Sequence, residues 1–180
     1  LKLIENGELR FAIVGEFRNE DAVRGPEGQK LSPMSRNSVY LASRELVNAI
    51  KRLTGKSPLV CEPTDPRLAK IPYVIALGDT PQSRALGVSS KNLKPEGFEI
   101  RTFDRGVVIV GMDGFRNPEM YDKFNWRCSR ITCNGTEWGA VDFSERVLGL
   151  RYFSVQDKDL WTFVPEKSDV TLLPAAWKDA

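Results

Sequence analysis

The chain has 180 residues, of which 41% are hydrophobic and 28% charged, values typical of one globular domain with its own core. Its formal net charge is only +2 and its basic residues are scattered, so the clustered positive face of a nucleic-acid-binding protein is not expected. The sequence contains no histidine, which excludes Ser-His-Asp and Cys-His catalysis and removes the commonest transition-metal ligand.

The N-terminal part is predicted to contain one strand followed by the longest helix of the chain. The strand covers residues 8–16, whose apolar centre is rich in β-forming residues. A polar loop follows over 18–33. Apolar residues at helical spacing then predict a helix over 35–54, which Gly55 ends and Pro58 prevents from continuing.

The middle of the chain is predicted to form short buried strands, because its apolar runs are bounded by proline and glycine. The expected elements are strands over 59–61, 73–77, 98–103 and 107–110, and a short helix over 81–86. The stretch 112–134 has no regular hydrophobic pattern and is predicted to be an inserted loop.

A second helix is predicted over 136–148, with Gly149 ending it. Three strand-like pieces finish the chain, over 151–153, 161–164 and 170–173. Strands outnumber helices and hairpin signals lie among them, so the sequence predicts an α+β fold in a single domain over 1–180. We expect a two-layer sandwich, with a mixed sheet of about six strands and two main helices packed on one face.

No motif predicts a catalytic residue, a cofactor or a metal. The segment Gly111–Gly114 lacks the glycine pattern of a phosphate loop and is interpreted as a turn. Carboxylates could form a glycosidase pair in principle, but no two are marked as partners, and solvated surface charge is the favoured interpretation. The acidic residues considered are Asp113, Glu119, Asp122, Asp142 and Glu145. Three cysteines have neither the number nor the spacing of a zinc site.

Three further local patterns have plain structural interpretations. Cys61 ends a short apolar strand and is predicted to be a buried thiol. Cys128 and Cys133 lie close enough in sequence to pair in an oxidising compartment, but two buried thiols are favoured. Residues 134–136 match the N-glycosylation pattern, yet a turn and a helix start explain them without modification.

Trp138 is the main candidate for contact with another molecule or domain. One side of the second helix is apolar and comprises Ala140, Phe143, Val147 and Leu150. Trp138 lies off this stripe and is expected to project near Asp142 and Glu145. An apolar ring on the polar side of a helix indicates contact with another domain or packing on a neighbouring loop. Trp126, in the inserted loop, is a further candidate for stacking on a sugar.

Three segments, taken together, resemble a known family. The first is the helix 42–55, which ends in Leu-Thr-Gly, and the second is the strand pair 96–111. The third is 135–153, GTEWGAVDFSERVLGLRYF. In this order they resemble the N-terminal accessory domain that precedes the catalytic barrel in beta-hexosaminidases, bacterial alpha-glucuronidases and related glycosidase-like proteins. The resemblance is strongest over 35–165, and the loop 112–134 departs from it by its length.

The resemblance implies a sheet of about six strands against two helices, a catalytic domain in the same polypeptide, and no catalytic residue in this chain. It also implies a bacterial protein of carbohydrate metabolism that is secreted, periplasmic or on the cell surface. We therefore expect a non-catalytic accessory domain that packs against a glycosidase-type catalytic domain. The alternative is a self-sufficient carbohydrate-binding or surface-interaction module that uses the 112–134 loop and exposed aromatic residues.

The sequence also bears on the membrane and on the start of the chain. No apolar run approaches the roughly 20 residues of a membrane-spanning helix. The first residue is Leu1 and not Met, which predicts that an upstream segment was removed, either as a signal peptide or by truncation.

Overall fold

The computed structural model of the chain describes residues 1–17, 38–115, 132–152 and 162–179. Within these ranges the α-helices are α1 (Ser38–Thr54), α2 (Pro81–Ala85) and α3 (Gly135–Phe143). The strands, in chain order, are β1 (Lys2–Glu5), β2 (Glu8–Leu9), β3 (Phe11–Gly15), β4 (Leu59–Cys61), β5 (Tyr73–Leu77), β6 (Phe98–Phe103), β7 (Gly106–Gly111), β8 (Asp113–Phe115), β9 (Thr132–Asn134), β10 (Arg151–Tyr152), β11 (Thr162–Phe163), β12 (Val170–Thr171) and β13 (Ala176–Asp179).

The main sheet has six strands in the order β13-β6-β7-β5-β3-β4. The four strands β7, β5, β3 and β4 run parallel, whereas β6 and β13 add antiparallel strands at one edge. Strands β3 and β7 are buried at every position, which is the pattern of parallel strands covered on both faces. The predicted α+β fold with a mixed sheet of about six strands is confirmed. Strand β13 was not predicted.

The N-terminal prediction missed a hairpin. The expected single strand over 8–16 is two strands, because β2 pairs with β1 in a separate three-stranded sheet while β3 enters the main sheet. Asn6 and Gly7 both have positive φ, 52° and 72°, and connect Glu5 to Glu8 across the hairpin. Asn-Gly between two short apolar runs is the strongest short hairpin signal, and it marks this turn in the sequence.

Helices α1 and α3 pack side by side on one face of the main sheet, as predicted. Their inward residues are buried together with the apolar residues of β3, β5, β6 and β7 in one core cluster. The fully buried large side chains of this layer include Leu46, Ile50, Ile13, Ile75, Ile109 and Phe143. The small sheet contributes Leu3, Ile4 and Val170 to the same cluster, so both sheets share one core.

The opposite face of the main sheet is covered by short irregular segments. Its buried residues are small, and they are Ala12, Val14, Val74, Ala76, Val108 and Val110. Leu68 and Ile71, in and just after the 3₁₀ turn Pro66–Lys70, pack over one part of this face. Leu86 and Val88, which follow α2, pack over the other. Small side chains let these segments approach the strands closely, so a full helical layer is not needed there.

The second predicted helix is confirmed, with one local change. Helix α3 continues at Ser144–Leu148 as a single π-helical turn, and Gly149 ends it with a left-handed φ of 84°. The prediction of an irregular loop over 112–134 is wrong at the two ends of this range, where β8 and β9 pair as antiparallel strands. The rest of that loop lies outside the described residues, as do 35–37 of the first predicted helix.

Cys61 is buried at 7% exposure, as predicted, and its thiol is free. Burial raises the pKa of that thiol above its ordinary value. Cys133 is also buried, at 1% exposure, whereas Cys128 lies outside the described residues. Among the helices in the described parts of the chain, none is long and apolar enough to cross a membrane.

Candidate interaction site at the start of helix α3

The carboxyl ends of the parallel strands lie beside the first turns of α1 and α3. Strands β3, β5 and β7 end at Gly15, Leu77 and Gly111. The backbone N–H of Glu137 in α3 donates to the hydroxyl of Ser38 in α1 over 3.2 Å, so the two helices begin next to each other. In open sheets of parallel strands, this edge is where ligands most often bind.

Glycines let the backbone of α3 touch the neighbouring strands. A Cβ on Gly111 would lie 1.9 Å from the backbone nitrogen of Thr136. A Cβ on Gly135 would lie 2.3 Å from the carbonyl oxygen of Gly97, and one on Gly139 would lie 2.7 Å from a side chain of β7. The contacts at Gly111 and Gly135 are with backbone atoms and exclude a side chain, whereas a side chain at Gly139 would have to displace Ile109. These glycines therefore let α3 pack closely on the end of the sheet.

The first turn of α3 is capped from outside the helix. Asn134 is at the N-cap, so the predicted helix start is right, but its side chain makes no capping hydrogen bond. Asp113 supplies the acceptors: Oδ1 accepts the backbone N–H of Thr136 at 2.9 Å, and Oδ2 accepts the Thr136 hydroxyl at 2.5 Å. The backbone N–H of Gly111 donates to that hydroxyl at 2.9 Å. The prediction that Asp113 is solvated surface charge is therefore wrong.

The capping role of Asp113 has a testable pH signature. Burial raises the pKa of its carboxyl above the ordinary value, opposed by hydrogen bonds from Thr136 and Ser38, while the charge of Glu96 raises it further. The folded state therefore binds the proton more tightly than the unfolded chain, so this group's contribution to stability is full at low pH. This contribution is lost as the pH rises from the pKa of the unfolded state, about 4, through the higher pKa of the folded state.

Asp113→Asn removes this titration. We expect the stability of the wild type relative to Asp113→Asn to decrease as the pH is raised from 3 to 7, measured as free energies of unfolding in urea. The other acidic groups also titrate in this range, and ion pairs lower the pKa of some of them. Their contributions cancel when the free energy of unfolding of one protein is subtracted from that of the other. A wild-type advantage that grows with pH would contradict a raised pKa for the Asp113 carboxyl.

Trp138 lies at the surface in this first turn, and its side chain is held in place. The residue is 49% exposed. Its indole Nε1–H donates to Oε2 of Glu96 at 3.1 Å, and the same oxygen accepts the backbone N–H of Asn134 at 2.8 Å. Sequence reasoning placed the ring near Asp142 and Glu145 and missed Glu96. The ring is thus fixed at its polar edge by a residue 42 positions earlier in the chain.

Asp142 and Glu145 are not brought together with Trp138 by any hydrogen bond that the structure gives. Asp142 accepts the indole N–H of Trp177 at 2.7 Å and the Arg146 Nε–H at 2.8 Å, so it joins α3 to strand β13. Glu145 is half-buried, and its backbone carbonyl accepts the Arg151 guanidinium at 3.0 Å. Both residues therefore have structural roles on the same helix as Trp138.

The remaining candidates from the sequence are an aromatic residue and two acidic residues of the predicted inserted loop. Trp126, Glu119 and Asp122 lie outside the described residues. In the ranges that the structure describes, no cluster of three or more cysteine, aspartate or glutamate side chains could hold a metal ion.

An open groove of about 590 Å³ lies at the other end of the sheet, beside the starts of β3 and β4. Its charged residues include Glu8, Arg10 and Lys70. Glu8 is already paired with Lys56, Nζ to Oε1, at 2.5 Å. Pro58 and Pro72 also line the groove.

Neither a comparison with protein-family models nor one with curated protein sequences finds a match to this chain.

Proposed function

We propose that this chain is a non-catalytic accessory domain that packs, through the outer face of α3, against a glycosidase-type catalytic domain of the same polypeptide. The observation that carries the proposal is Trp138, a large aromatic side chain that is half exposed while its indole N–H is fixed by Glu96. A free surface ring would have several rotamers, and ordering it costs conformational entropy. A ring that is already fixed loses little of this freedom when a partner covers it.

The composition of α3 supports a second covered face. Its inner face is fully buried through Ala140 and Phe143, each at 0% exposure. Its outer face carries Trp138 and the half-buried Val141, one turn apart. Asp142, the charged residue next to Val141, already binds Arg146 and Trp177, so its carboxylate would not be left unpaired if a partner covered Trp138 and Val141.

The link to glycosidases rests on the resemblance of the segments 42–55, 96–111 and 135–153. The structure gives packing reasons for most of the residues that define the third segment. Glycines 135 and 139 touch the sheet, Thr136 is part of the cap, and Gly149 ends the helix. These roles hold a fold together and carry no chemistry, which supports an accessory role over a catalytic one.

Trp138→Ala, compared in two contexts, tests the proposal. In the isolated 180-residue chain we expect a loss of about 1–2 kcal/mol, well below that of a fully buried aromatic residue, because half of the Trp138 side chain is exposed there. In the native polypeptide we expect a larger loss, together with a lower joint melting temperature, because the same ring would be covered by the catalytic domain. Both are measured by thermal unfolding.

Val60→Ala is the matched control, since Val60 is 37% exposed on β4, at the edge of the sheet farthest from β13. Val60→Ala should lower the stability of the isolated chain and of the native polypeptide by the same amount. An equal and large loss for Trp138→Ala in the isolated chain would show that Trp138 belongs to the core, and the docking proposal would fail.

The alternative, a self-sufficient carbohydrate-binding module, would use the same exposed ring. Sugar binding by the isolated chain, abolished by Trp138→Ala, is the result that would favour it. The accessory-domain proposal predicts no such binding, measured by calorimetric titration of the isolated chain with N-acetylhexosamine and glucuronic acid oligosaccharides.

A further inference from the structure

Glu96 has an unusual backbone conformation for its residue type. Its φ is 65°, in the left-handed region that disfavours residues with a side chain. It follows Pro95 in a turn that the Gly97 N–H closes by donating to the Lys94 carbonyl at 2.8 Å. A proline at the second position and a residue with positive φ at the third position define a type II turn. Glycine or asparagine is the usual residue at the third position. Turn chemistry alone therefore does not explain a glutamate here.

The side chain of Glu96 explains what the backbone alone does not. Its Oε2 accepts two N–H groups, one from the backbone of Asn134 before α3 and one from the indole of Trp138. The indole N–H of Trp138 lies at an exposed position where water could accept its hydrogen bond, so this bond is not needed to satisfy a buried donor. The carboxylate thus fixes the polar edge of an aromatic side chain that is half exposed.

We infer that Glu96 is a positioning residue, kept in an unfavourable backbone conformation because its carboxylate orients Trp138 toward the partner domain. The inference rests on the proposed function, since it assigns a purpose to the same surface. Strained residues of this kind cluster at sites where a protein binds or reacts, and their replacement often raises stability while weakening function. Replacing Glu96 is therefore expected to maintain or raise the stability of the isolated domain and to lower the stability of the docked one.

Two variants separate the side chain from the backbone. Glu96→Gly removes the carboxylate and relieves the left-handed strain, whereas Glu96→Gln keeps the strain and one side-chain oxygen acceptor but loses the charge. In the isolated chain, we expect the melting temperature of Glu96→Gly to be unchanged or higher. In the native polypeptide, we expect Glu96→Gly to lower it, as Trp138→Ala does, and Glu96→Gln to have an intermediate effect.

Indole N–H resonances of the ¹⁵N-labelled isolated chain test the positioning itself, independently of any partner. Trp138→Phe assigns the relevant signal. In Glu96→Gly that signal should move toward the position of a solvent-exposed indole and show faster motion, while the Trp177 signal stays in place. A lower melting temperature of isolated Glu96→Gly, or an unmoved Trp138 signal, would overturn the inference.

The remaining outcomes separate this inference from the proposed function. If Trp138→Ala weakens the native polypeptide and Glu96→Gly does not, the docking surface stands and the role of Glu96 is refuted. If neither variant affects the native polypeptide, the proposed function itself fails, and the purpose assigned to Glu96 fails with it.

Discussion

Replacing Gly111 with alanine is expected to destabilise the domain by more than about 3 kcal/mol, a large effect for one added methyl group. The new Cβ would lie 1.9 Å from the backbone nitrogen of Thr136 and 2.0 Å from the carbonyl carbon of Gly135. Both atoms belong to the backbone, so no side-chain rotation relieves the overlap. Helix α3 would have to move off the end of β7 and break the hydrogen bond between Gly111 and Thr136.

Gly55→Ala is the control for this experiment. Gly55 has a φ of 72°, and no atom lies within 4 Å of the point that an added Cβ would occupy. Its replacement therefore costs only the left-handed conformation, about 1 kcal/mol. Both variants are measured by urea unfolding. If Gly111→Ala cost no more than Gly55→Ala, the close crossing of α3 and β7 would be wrong.

Phe143→Ala is expected to cost about 3–5 kcal/mol, which is a large part of the stability of a domain of this size. The ring is completely buried and belongs to the core cluster between the helices and the sheet. Removing it leaves a cavity that a closely packed core can fill only in part by small shifts. The loss is measured as the decrease in the free energy of unfolding in urea.

The comparison variant for Phe143→Ala is Trp138→Ala in the same isolated chain. The two aromatic residues lie five positions apart on one helical segment, but their exposures are 0% and 49%. A loss from Trp138→Ala as large as that from Phe143→Ala would contradict the assignment of the inner and outer faces of α3.

The hydrophobic pattern was sufficient to predict the layer structure. Helical spacing of apolar residues gave α1 and α3, and short apolar runs gave β4 to β7, because these signals depend only on nearby residues. Strand β13 was missed because its sequence, Ala-Trp-Lys-Asp, is apolar only in its first half and shows no apolar–polar alternation. The strand forms through pairing with β6. Its existence depends on a sheet edge formed about 75 residues earlier in the sequence.

The candidate site could be predicted only in part. Trp138 was identified because it lies off the apolar stripe of its helix, which is a local signal. Asp113, which caps α3 at Thr136, and Glu96, which binds Trp138, were not identified, because they reach the start of α3 through the register of the sheet. Phe98, the first residue of β6, pairs with Gly111, the last residue of β7. The turn before β6 and the strand after β7 therefore lie at the same end of the sheet. The one available local signal was the sequence Lys-Pro-Glu-Gly, which has a glutamate where a type II turn favours glycine.

Hydroxyl-radical footprinting of Trp138 tests the central claim most directly. The isolated chain and the native polypeptide are oxidised under the same conditions, and the modification of each tryptophan is measured by mass spectrometry. If α3 docks on a catalytic domain, oxidation of Trp138 should fall severalfold in the native polypeptide, while Trp177, already partly covered and bound to Asp142, should change little. Equal oxidation of Trp138 in the two samples would contradict the account, because the outer face of α3 would then be open to water in the native protein.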